Sequence, residues 1–424
     1  MNRTPNTEHP AMSDLYNDFR RYLCPTSAEP LGLIIEGAEA CFLRTRDGKS
    51  ILDFVSGIGV SSVGHGCPEV LRAIKTQVDR HLHVMVYGEM VQEAQVALAK
   101  RLAEIAPGDL SMTFFCNSGA EAIEGAIKLC RKATGRTRVI AFAGGYHGDT
   151  LGALSISGEA RYQKPFEPLL PEVHLLPFDA CAALDGIDER VAGVVVEPIQ
   201  GEAGVRVPGP DFLPMLRARC RDVGALLILD EVQTGIGRTG RWFACEHWEV
   251  VPDCLVLAKA VGGGMPLGAF IARPALMRTL SADPPFAHVT TFGGHPVSCA
   301  AGLAALRTID QQALIKNAET MGNHLRSAMS RLHGVKEVRG IGLLLGLVLE
   351  EPLLTRAVLR LALERGLLVG DFLYADGVIR IAPPLVVSRE LCDRAVEVLG
   401  ESLRIAQAEV RRPIKEVRGL RTEG

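Results

Sequence analysis

Two apolar runs that each stop at a charged residue constrain this chain most. The first run, residues 225–229, ends at Asp230, and the second, residues 254–258, ends at Lys259. Each run has the length of a strand and is apolar throughout, as strands buried on both faces are. Because ligands of an open α/β sheet bind beyond the carboxyl ends of its strands, we expect a carboxylate and an amine in the same crevice.

A lysine and an aspartate in one crevice are the pair that pyridoxal phosphate requires. The lysine amine attaches the aldehyde of the cofactor, and the aspartate keeps the pyridine nitrogen protonated, so that the ring can accept electrons. A solvated loop after each strand is the alternative interpretation of the same two residues. Gly262, Gly263 and Gly264 do not indicate a dinucleotide site, because they lack the GxGxxG spacing that opens a helix.

The composition excludes several classes of protein. A chain of 424 residues exceeds one ordinary core, which predicts two or more domains. A net charge of -3 gives no basic footprint for nucleic acid. No apolar run approaches a membrane span and residues 1–10 lack the apolar stretch of a signal peptide, so we expect a cytoplasmic protein. The eleven cysteines show no CxxC pair or regular spacing, which indicates reduced, buried thiols and no metal site.

Three segments are predicted along the chain: an N-terminal arm with part of a small domain (1–64), a large domain (65–308) and the C-terminal part of the small domain (309–424). From about Glu89 onward helices and strands alternate, which is typical of a mostly parallel sheet flanked by helices. In the two outer segments the patterns predict helices over 15–23, 318–332 and 391–410, and strands over 40–43, 50–54, 342–349, 367–369 and 378–381.

A second strand end in the large domain predicts a phosphate site. A strand over 112–115 is followed by Ser118, Gly119 and Ala120, which open a helix. The free N–H groups and the positive end of a helix N-terminus favour an anion. Ordinary capping of the helix by Ser118 is the alternative.

Two more strands deliver side chains to the same edge. The strand over 139–142 precedes Tyr146, which either stacks on a planar ring or packs under a loop. The strand over 191–196 ends in Glu197 and Glu202, two acids around a Pro/Gly turn, which indicates a polar site.

Taken together, these stretches resemble the class III aminotransferases, which have the fold of type I pyridoxal phosphate enzymes. The resemblance therefore implies an α/β fold with a large, mostly parallel sheet and a smaller α+β domain built from both termini. The matching stretches follow the order of the family from about Gly37 onward; they are NSGAE (117–121), YHG (146–148), EPIQGE (197–202), LDEVQTGIGRTG (229–240), LAK (257–259), TTFGG (290–294) and RIAPP (380–384).

The resemblance implies a role for each matching residue around the cofactor. Lys259 would hold pyridoxal phosphate and move a proton, and Asp230 would pair with the pyridine nitrogen. Thr291 of the partner subunit would reach the phosphate, so that the active sites lie at the interface of a homodimer, or of a tetramer built from dimers. The other cofactor contacts would come from Ser118, Gly119, Ala120, Tyr146, Val232 and Gln233.

The same resemblance assigns the substrate side of the site. Arg380 would bind the α-carboxylate of a substrate, and Glu202 would pair with Arg380 when that carboxylate is absent, so that one site takes an amine and a 2-oxo acid in turn. Thr290 is placed with these substrate residues. The Glu202–Arg380 pair favours transamination over racemase, aminomutase or decarboxylase activity on the same scaffold. A scaffold protein without turnover would lack Lys259 or Asp230, and both are present.

Within the class, the stretches 114–119, 164–171 and 243–247 are most similar to ω-amine enzymes that use 2-oxoglutarate, particularly putrescine aminotransferases. Asp149 stands where ornithine, acetylornithine and 4-aminobutyrate aminotransferases carry an arginine, and it would repel a carboxylate and attract an ammonium. Aminotransferases of biotin synthesis also resemble the chain at this motif. We therefore expect transfer of a terminal amino group from a diamine such as putrescine or cadaverine to 2-oxoglutarate or pyruvate by a ping-pong mechanism. The alternative donors are 4-aminobutyrate, ornithine and acetylornithine. A second departure is His295, where the family usually has asparagine.

Overall fold

The computed structural model describes residues 12–86 and 88–411, with the side chains at 12, 13 and 411 left aside. Residues 1–11 of the predicted first segment and residues 412–424 of the predicted third segment therefore lie outside the described residues. The strands are β1 (Ile35–Glu39), β2 (Phe42–Thr45), β3 (Ser50–Asp53), β4 (Met112–Cys116), β5 (Arg138–Phe142), β6 (Val173–Leu176), β7 (Val191–Val196), β8 (Leu226–Asp230), β9 (Cys254–Leu257), β10 (Gly268–Ala272), β11 (Val335–Ile341), β12 (Leu344–Leu349), β13 (Leu367–Leu368) and β14 (Val378–Ile381). The helices are α1 (Met12–Tyr22), α2 (Ser56–Gly59), α3 (Pro68–Arg80), α4 (Glu93–Ile105), α5 (Gly119–Thr134), α6 (Leu151–Ser155), α7 (Ala160–Gln163), α8 (Phe212–Val223), α9 (Pro274–Met277), α10 (Pro296–Gln311), α11 (Leu314–Met329), α12 (Thr355–Glu364) and α13 (Arg389–Arg411).

A seven-stranded sheet forms the centre of the protein. Its order is β4-β10-β9-β8-β7-β5-β6, and β10 alone runs antiparallel to its neighbours. Successive residues of a strand point to opposite faces, and accordingly Leu227 and Leu255 enter one apolar core while Ile228 and Val256 enter the other. Helix α5 packs on one face and α8 on the other. The predicted α/β fold with a mostly parallel sheet is confirmed.

The order of the strands brings the charged strand ends together. β8 and β9 are parallel neighbours, so Asp230, the last residue of β8, and Lys259, just beyond β9, lie at the same edge. β7 is the next strand, and it delivers Glu197 to that edge. All three strands are buried almost throughout, which explains why their sequences are continuous apolar runs.

Two smaller sheets are built from the outer parts of the chain. One has the order β1-β2-β3-β13, in which β13 pairs in parallel with β3 and joins residues from the two ends of the sequence. The other is the antiparallel sheet β11-β12-β14, which carries Arg380 on β14. The predicted domain boundaries near residues 64 and 308 stay a prediction.

Two details of the smaller sheets differ from the predicted pattern. The predicted strand over 40–43 is interrupted because Ala40 has a left-handed backbone with φ 49°, so β1 ends before it and β2 begins after it. Strand β11 was not predicted, because three of the seven residues in its sequence, VKEVRGI, are charged and all but one of the seven are at least partly exposed. Its partner β12 begins two residues later than predicted.

Within residues 12–86 and 88–411, no helix combines the length and the apolarity needed to cross a bilayer. The eleven cysteines all fall at described positions and are free thiols, most of them buried.

Candidate active site

The strand ends open into a cavity of about 460 Å³. Among its lining residues are most of the predicted contacts: Ser118, Gly119, Ala120, Tyr146, Asp149, Glu202, Asp230, Val232, Gln233 and Lys259. Arg380 reaches the same place through its ion pair with Glu202. The structure therefore gathers residues that are up to 262 positions apart in the sequence, from Ser118 to Arg380.

Asp230 is held in a buried hydrogen-bond network. Its Oδ2 lies 2.7 Å from Nδ1 of His147, and its Oδ1 accepts a hydrogen bond from the backbone N–H of Val232 at 3.0 Å. Burial works to lower the pKa of His147, but the hydrogen bond and charge of Asp230 and the charge of Glu197 raise it above its ordinary value. His147 and the backbone N–H of Val232 thereby fix the position of the Asp230 carboxylate.

Glu197 is a buried carboxylate in the site to which the sequence assigned no role. It accepts hydrogen bonds from the backbone N–H groups of Tyr146 at 3.0 Å and Gly201 at 2.8 Å, so it joins two strand-end turns. Burial raises its pKa to about 7, and the charge of Asp230 adds to this, while His147 acts in the opposite direction.

Lys259 has an unusual backbone for a residue with a side chain. Its φ is 52°, in the left-handed region that costs a non-glycine residue about 1–2 kcal/mol. Burial lowers the pKa of its amine, and the charge of Arg380 adds to this, although Glu202 and Asp230 oppose it. With the Gln233 amide oriented to face both cations, its oxygen accepts from Lys259 Nζ at 3.2 Å and from Arg380 Nη1 at 3.1 Å.

The opposite end of the cavity is the N-terminus of α5. Ser118 is the N-cap residue, and its Oγ accepts from the N–H of Glu121 at 3.2 Å. The predicted capping alternative is therefore real, and it leaves the N–H groups of Gly119 and Ala120 at a helix N-terminus that lines the cavity. Gly148 allows the neighbouring turn to come close, because a Cβ at this position, with φ 122°, would lie 2.6 Å from the Cβ of Ala120.

Glu202 and Arg380 form a buried ion pair at the side of the cavity. Both carboxylate oxygens accept from Arg380 Nη2 at 2.7 Å, and both residues are at most 5% exposed. The guanidinium also lies 4.3 Å from the ring centroid of Phe372, and its Nε donates to the carbonyl of Asp371 at 3.2 Å. The pairing that the resemblance implied for a site without a carboxylate ligand is the one observed.

The loop with Thr290 and Thr291 does not line this cavity. Thr290 Oγ1 accepts from Asn117 Nδ2 at 3.2 Å, so it contacts the segment before α5, and its place among the substrate residues stays a prediction. Thr291 is exposed, and its contact with the phosphate of a partner subunit stays a prediction. His295 caps α10, since its Nδ1 accepts from the N–H of Val297 at 3.3 Å, the local bond that a capping asparagine provides.

Two further residues of the site gave little signal in the sequence. His147 lies in the YHG motif, but nothing local indicated that its ring would contact Asp230, 83 positions away. Tyr374, whose ring centroid lies 6.1 Å from that of Tyr146, comes from a loop with no motif at all.

This set of donors fits pyridoxal phosphate. An amine with a lowered pKa, an aspartate hydrogen-bonded to a histidine and a helix N-terminus line the same cavity. These are the groups needed for the aldehyde, the pyridine nitrogen and the phosphate. Among the described residues, no cluster of three or more histidine, cysteine, aspartate or glutamate side chains offers a metal site.

Comparisons with known proteins identify the family. Residues 23–403 match the model of the aminotransferase class-III family. The chain is 45% identical to the acetylornithine aminotransferase of Methanopyrus kandleri over 362 residues, which covers 84% of this chain and 91% of that protein. It is 40% identical to the putrescine aminotransferase of Pectobacterium atrosepticum over 374 residues, covering 84% of this chain and 79% of that protein. The crystal structure of the ornithine aminotransferase from Toxoplasma gondii matches with a TM-score of 0.88 and 31% identity, covering 95% and 97% of the two chains. The chain therefore belongs to the class III aminotransferase family and is a pyridoxal-phosphate-dependent transaminase.

Proposed function

We propose that this enzyme transfers the terminal amino group of an ornithine-type donor, ornithine or acetylornithine, to a 2-oxo acid such as 2-oxoglutarate. The observation that carries the proposal is the buried Glu202–Arg380 pair beside Lys259. When Glu202 is paired with Arg380, the arginine is not available to carboxylates and the site suits a terminal amine. When Glu202 moves away, Arg380 can bind the α-carboxylate of a 2-oxo acid.

The choice of donor rests on the relatives. Those named acetylornithine aminotransferase, and the ornithine aminotransferase of known structure, support an ornithine-type donor better than the diamine expected from the sequence. A diamine such as putrescine is the second candidate. It is favoured by Asp149, whose negative charge faces the cavity, and by the putrescine aminotransferase among the relatives.

Different residues would bind different parts of the cofactor. Asp230 would receive the pyridine N–H, and the N–H groups of Gly119 and Ala120 with Ser118 would receive the phosphate. Tyr146 and Val232 would lie against the ring, and Gln233 would orient its hydroxyl group.

The cofactor, when bound, supplies an electron sink for the carbon that carries the amine. Lys259 Nζ would take the proton from that carbon and deliver it to C4′ of the cofactor, where the amino group stays. The lowered pKa of this amine favours its neutral form, which is the form that can act as a base.

A screen of donors tests the proposal. The purified yellow enzyme is mixed with one amine at a time, without a 2-oxo acid, and the loss of the visible cofactor band is followed. Ornithine or acetylornithine is expected to discharge the band, and 2-oxoglutarate is expected to restore it. Discharge by putrescine and cadaverine alone would replace the main candidate by the second. A band that no ω-amine discharges would contradict both.

We also propose that the active unit is a homodimer in which Thr291 of the partner subunit completes the phosphate site. Leu82, Val91 and Phe292 are exposed apolar residues, and the rings of His83 and Phe292 lie 4.8 Å apart, so their segments share one face. Such a patch is typical of a subunit interface.

Mixed dimers test the sharing of residues. Lys259→Ala chains and Thr291→Val chains are each expected to be impaired, and refolding them together is expected to restore activity. The restored site combines Lys259 of one chain with Thr291 of the partner subunit. If Thr291 served its own chain, mixing would restore nothing.

A further inference from the structure

Three tyrosines and one aspartate form a cluster beside the cavity, and two of its members, Asp149 and Tyr146, line the cavity. Asp149 lines the cavity and accepts a hydrogen bond from the hydroxyl of Tyr146 at 2.9 Å. The ring centroid of Tyr374 lies 6.1 Å from that of Tyr146, with the rings at 69°. Tyr162 backs this group, with its ring centroid 5.3 Å from that of Tyr374.

The charges in this cluster favour a cation. Burial, with smaller contributions from neighbouring groups that include Asp149, raises the pKa of Tyr146 and Tyr374 above the ordinary range, so both stay neutral phenols. Within the described part of the chain, no lysine or arginine forms an ion pair with Asp149. Arg161, which lies beside the cluster, donates to the Leu373 carbonyl, and its guanidinium lies 5.0 Å from the ring centroid of Tyr162. A carboxylate beside aromatic faces is a recognition site for an organic ammonium.

The loop that carries Tyr374 is fastened to Glu202. The backbone N–H of Leu373 donates to Glu202 Oε2 at 3.2 Å, and that of Tyr374 donates to the Glu202 carbonyl at 3.1 Å. Arg380 holds the same loop through the Asp371 carbonyl. Tyr374 is therefore in place in the state in which Glu202 closes Arg380 to carboxylates, which is the state for the amine donor.

We propose that Asp149, Tyr146 and Tyr374 form a subsite for a second ammonium group on the amine donor. The proposal rests on the proposed ω-amine transamination and narrows its substrate class. Donors with a free ammonium at the far end are preferred, and the diamines rank above ornithine, because ornithine also carries a carboxylate there that Asp149 repels. Acetylornithine, whose far amine is acylated and uncharged, and 4-aminobutyrate, whose far end is anionic, are disfavoured. Tyr374 is the specificity-determining residue that the sequence did not indicate.

Three amines of equal chain length test how the group at the far end of the donor affects the reaction. Putrescine, n-butylamine and 4-aminobutyrate carry an ammonium, a methyl group and a carboxylate on the same four-carbon frame. The measurement is kcat/KM for each amine with saturating 2-oxoglutarate. The natural enzyme is expected to prefer putrescine over butylamine, and 4-aminobutyrate is expected to be the poorest. Equal values for putrescine and butylamine would overturn the subsite.

Variants then assign the preference to residues. Asp149→Asn is expected to reduce the putrescine-to-butylamine ratio by about 10- to 100-fold, because a charge-assisted bond is lost. Tyr374→Leu is expected to reduce the ratio by about 3- to 30-fold, and Tyr374→Phe, which keeps the ring, by less. Glu172→Gln removes an exposed acid outside the cavity and is expected to leave the ratio unchanged.

The outcomes separate the subsite from the activity. A ratio that Asp149→Asn does not move, in an enzyme that still transaminates ω-amines, overturns the subsite and leaves the proposed function intact. An enzyme that transaminates none of the three amines and neither ornithine nor acetylornithine overturns the proposed function and the subsite with it, whereas an enzyme that uses acetylornithine but no donor with a second ammonium overturns the subsite alone. The visible cofactor band of each variant confirms that it is folded and loaded.

Discussion

Arg380 Nη2 lies 2.7 Å from both carboxylate oxygens of Glu202, inside the protein and next to the cavity that holds Lys259. Burial disfavours the charged form of Glu202, but Arg380 outweighs it and lowers the pKa of the carboxyl, with Lys259 adding a smaller effect in the same direction. The pair is thus charged in the folded protein. A buried guanidinium without a counter-charge is costly, and Glu202 supplies that charge to Arg380 inside the protein.

Removing the carboxylate charge of Glu202 is expected to affect the two half-reactions unequally. In Glu202→Gln, Arg380 keeps a neutral partner of the same shape but loses its counter-charge whenever the amine donor is bound. We expect the amine half-reaction to slow by about 10-fold or more, because breaking a buried pair leaves one charge uncompensated. The 2-oxo acid half-reaction, in which the substrate carboxylate supplies the charge, is expected to change much less. Single-turnover traces of the visible band measure both; equal losses would count against the role of Glu202.

Glu197 predicts a specific dependence of stability on pH. Its pKa in the folded protein is about 7, above the ordinary value of 4.5, because burial disfavours the carboxylate. The folded state therefore holds this proton more tightly than the unfolded state. Its contribution to stability is fully present below pH 4.5 and is lost as the pH rises through about 7.

The variant Glu197→Gln tests this sign. Because glutamine is neutral at every pH, the free energy of unfolding of the variant apoenzyme is expected to fall less than that of the natural apoenzyme between pH 4.5 and about 7. Urea unfolding at several pH values measures the difference. Parallel pH profiles for the two proteins would show that Glu197 does not titrate in this range.

Much of the fold and the centre of the site could be predicted from local sequence. Asp230 and Lys259 each end an apolar run, and neighbouring parallel strands bring their ends to one edge, so the pairing follows from pattern and topology. The Glu202–Arg380 pair has no such local signal. Glu202 follows β7 and Arg380 lies on β14 of another sheet, 178 positions later, so only the resemblance to a family could suggest their contact.

Contacts that form only when distant segments pack together could not be predicted from the sequence. Tyr374 lies beside Tyr146 because its loop is hydrogen-bonded to Glu202, and Ala40 interrupts a strand because its backbone is left-handed. Arg238 lies within a glycine-rich motif that is typical of a surface turn, yet it is 1% exposed. Each outcome depends on tertiary packing, which overrides local preference.

Arg238 predicts a large loss of stability on substitution. Its guanidinium donates to the carbonyls of Leu343 and Pro383 and to the hydroxyl of Ser62, and it thereby binds the segment just beyond the strand that carries Arg380. Burial lowers its pKa to about 10, and the charge of Asp53 opposes this. Arg238→Met leaves these acceptors unpaired, and we expect a loss of about 2–5 kcal/mol in the free energy of unfolding.

The conservative change Arg238→Lys separates charge from geometry. A single ammonium has no planar fork to reach acceptors from three segments, so this variant is expected to recover little of the stability. Thermal unfolding of the two variants beside Arg307→Lys, an exposed arginine on α10, measures the effect. Full recovery in Arg238→Lys would show that the charge matters and the three-way bridge does not.

Lys259 combines a chemical role with a backbone cost, and two substitutions separate them. Lys259→Ala and Lys259→Gly both remove the amine, and both are expected to lose the visible band of the lysine-bound cofactor, whereas Lys316→Ala, an exposed control, keeps it. The backbone at 259, with φ 52°, is strained for alanine and free for glycine. The Lys259→Gly apoenzyme is therefore expected to be more stable than Lys259→Ala by about 1 kcal/mol, the opposite of the usual order. An alanine variant as stable as the glycine variant would show that the left-handed turn relaxes once the amine is gone. A full-strength yellow band in either variant would remove Lys259 from the cofactor site.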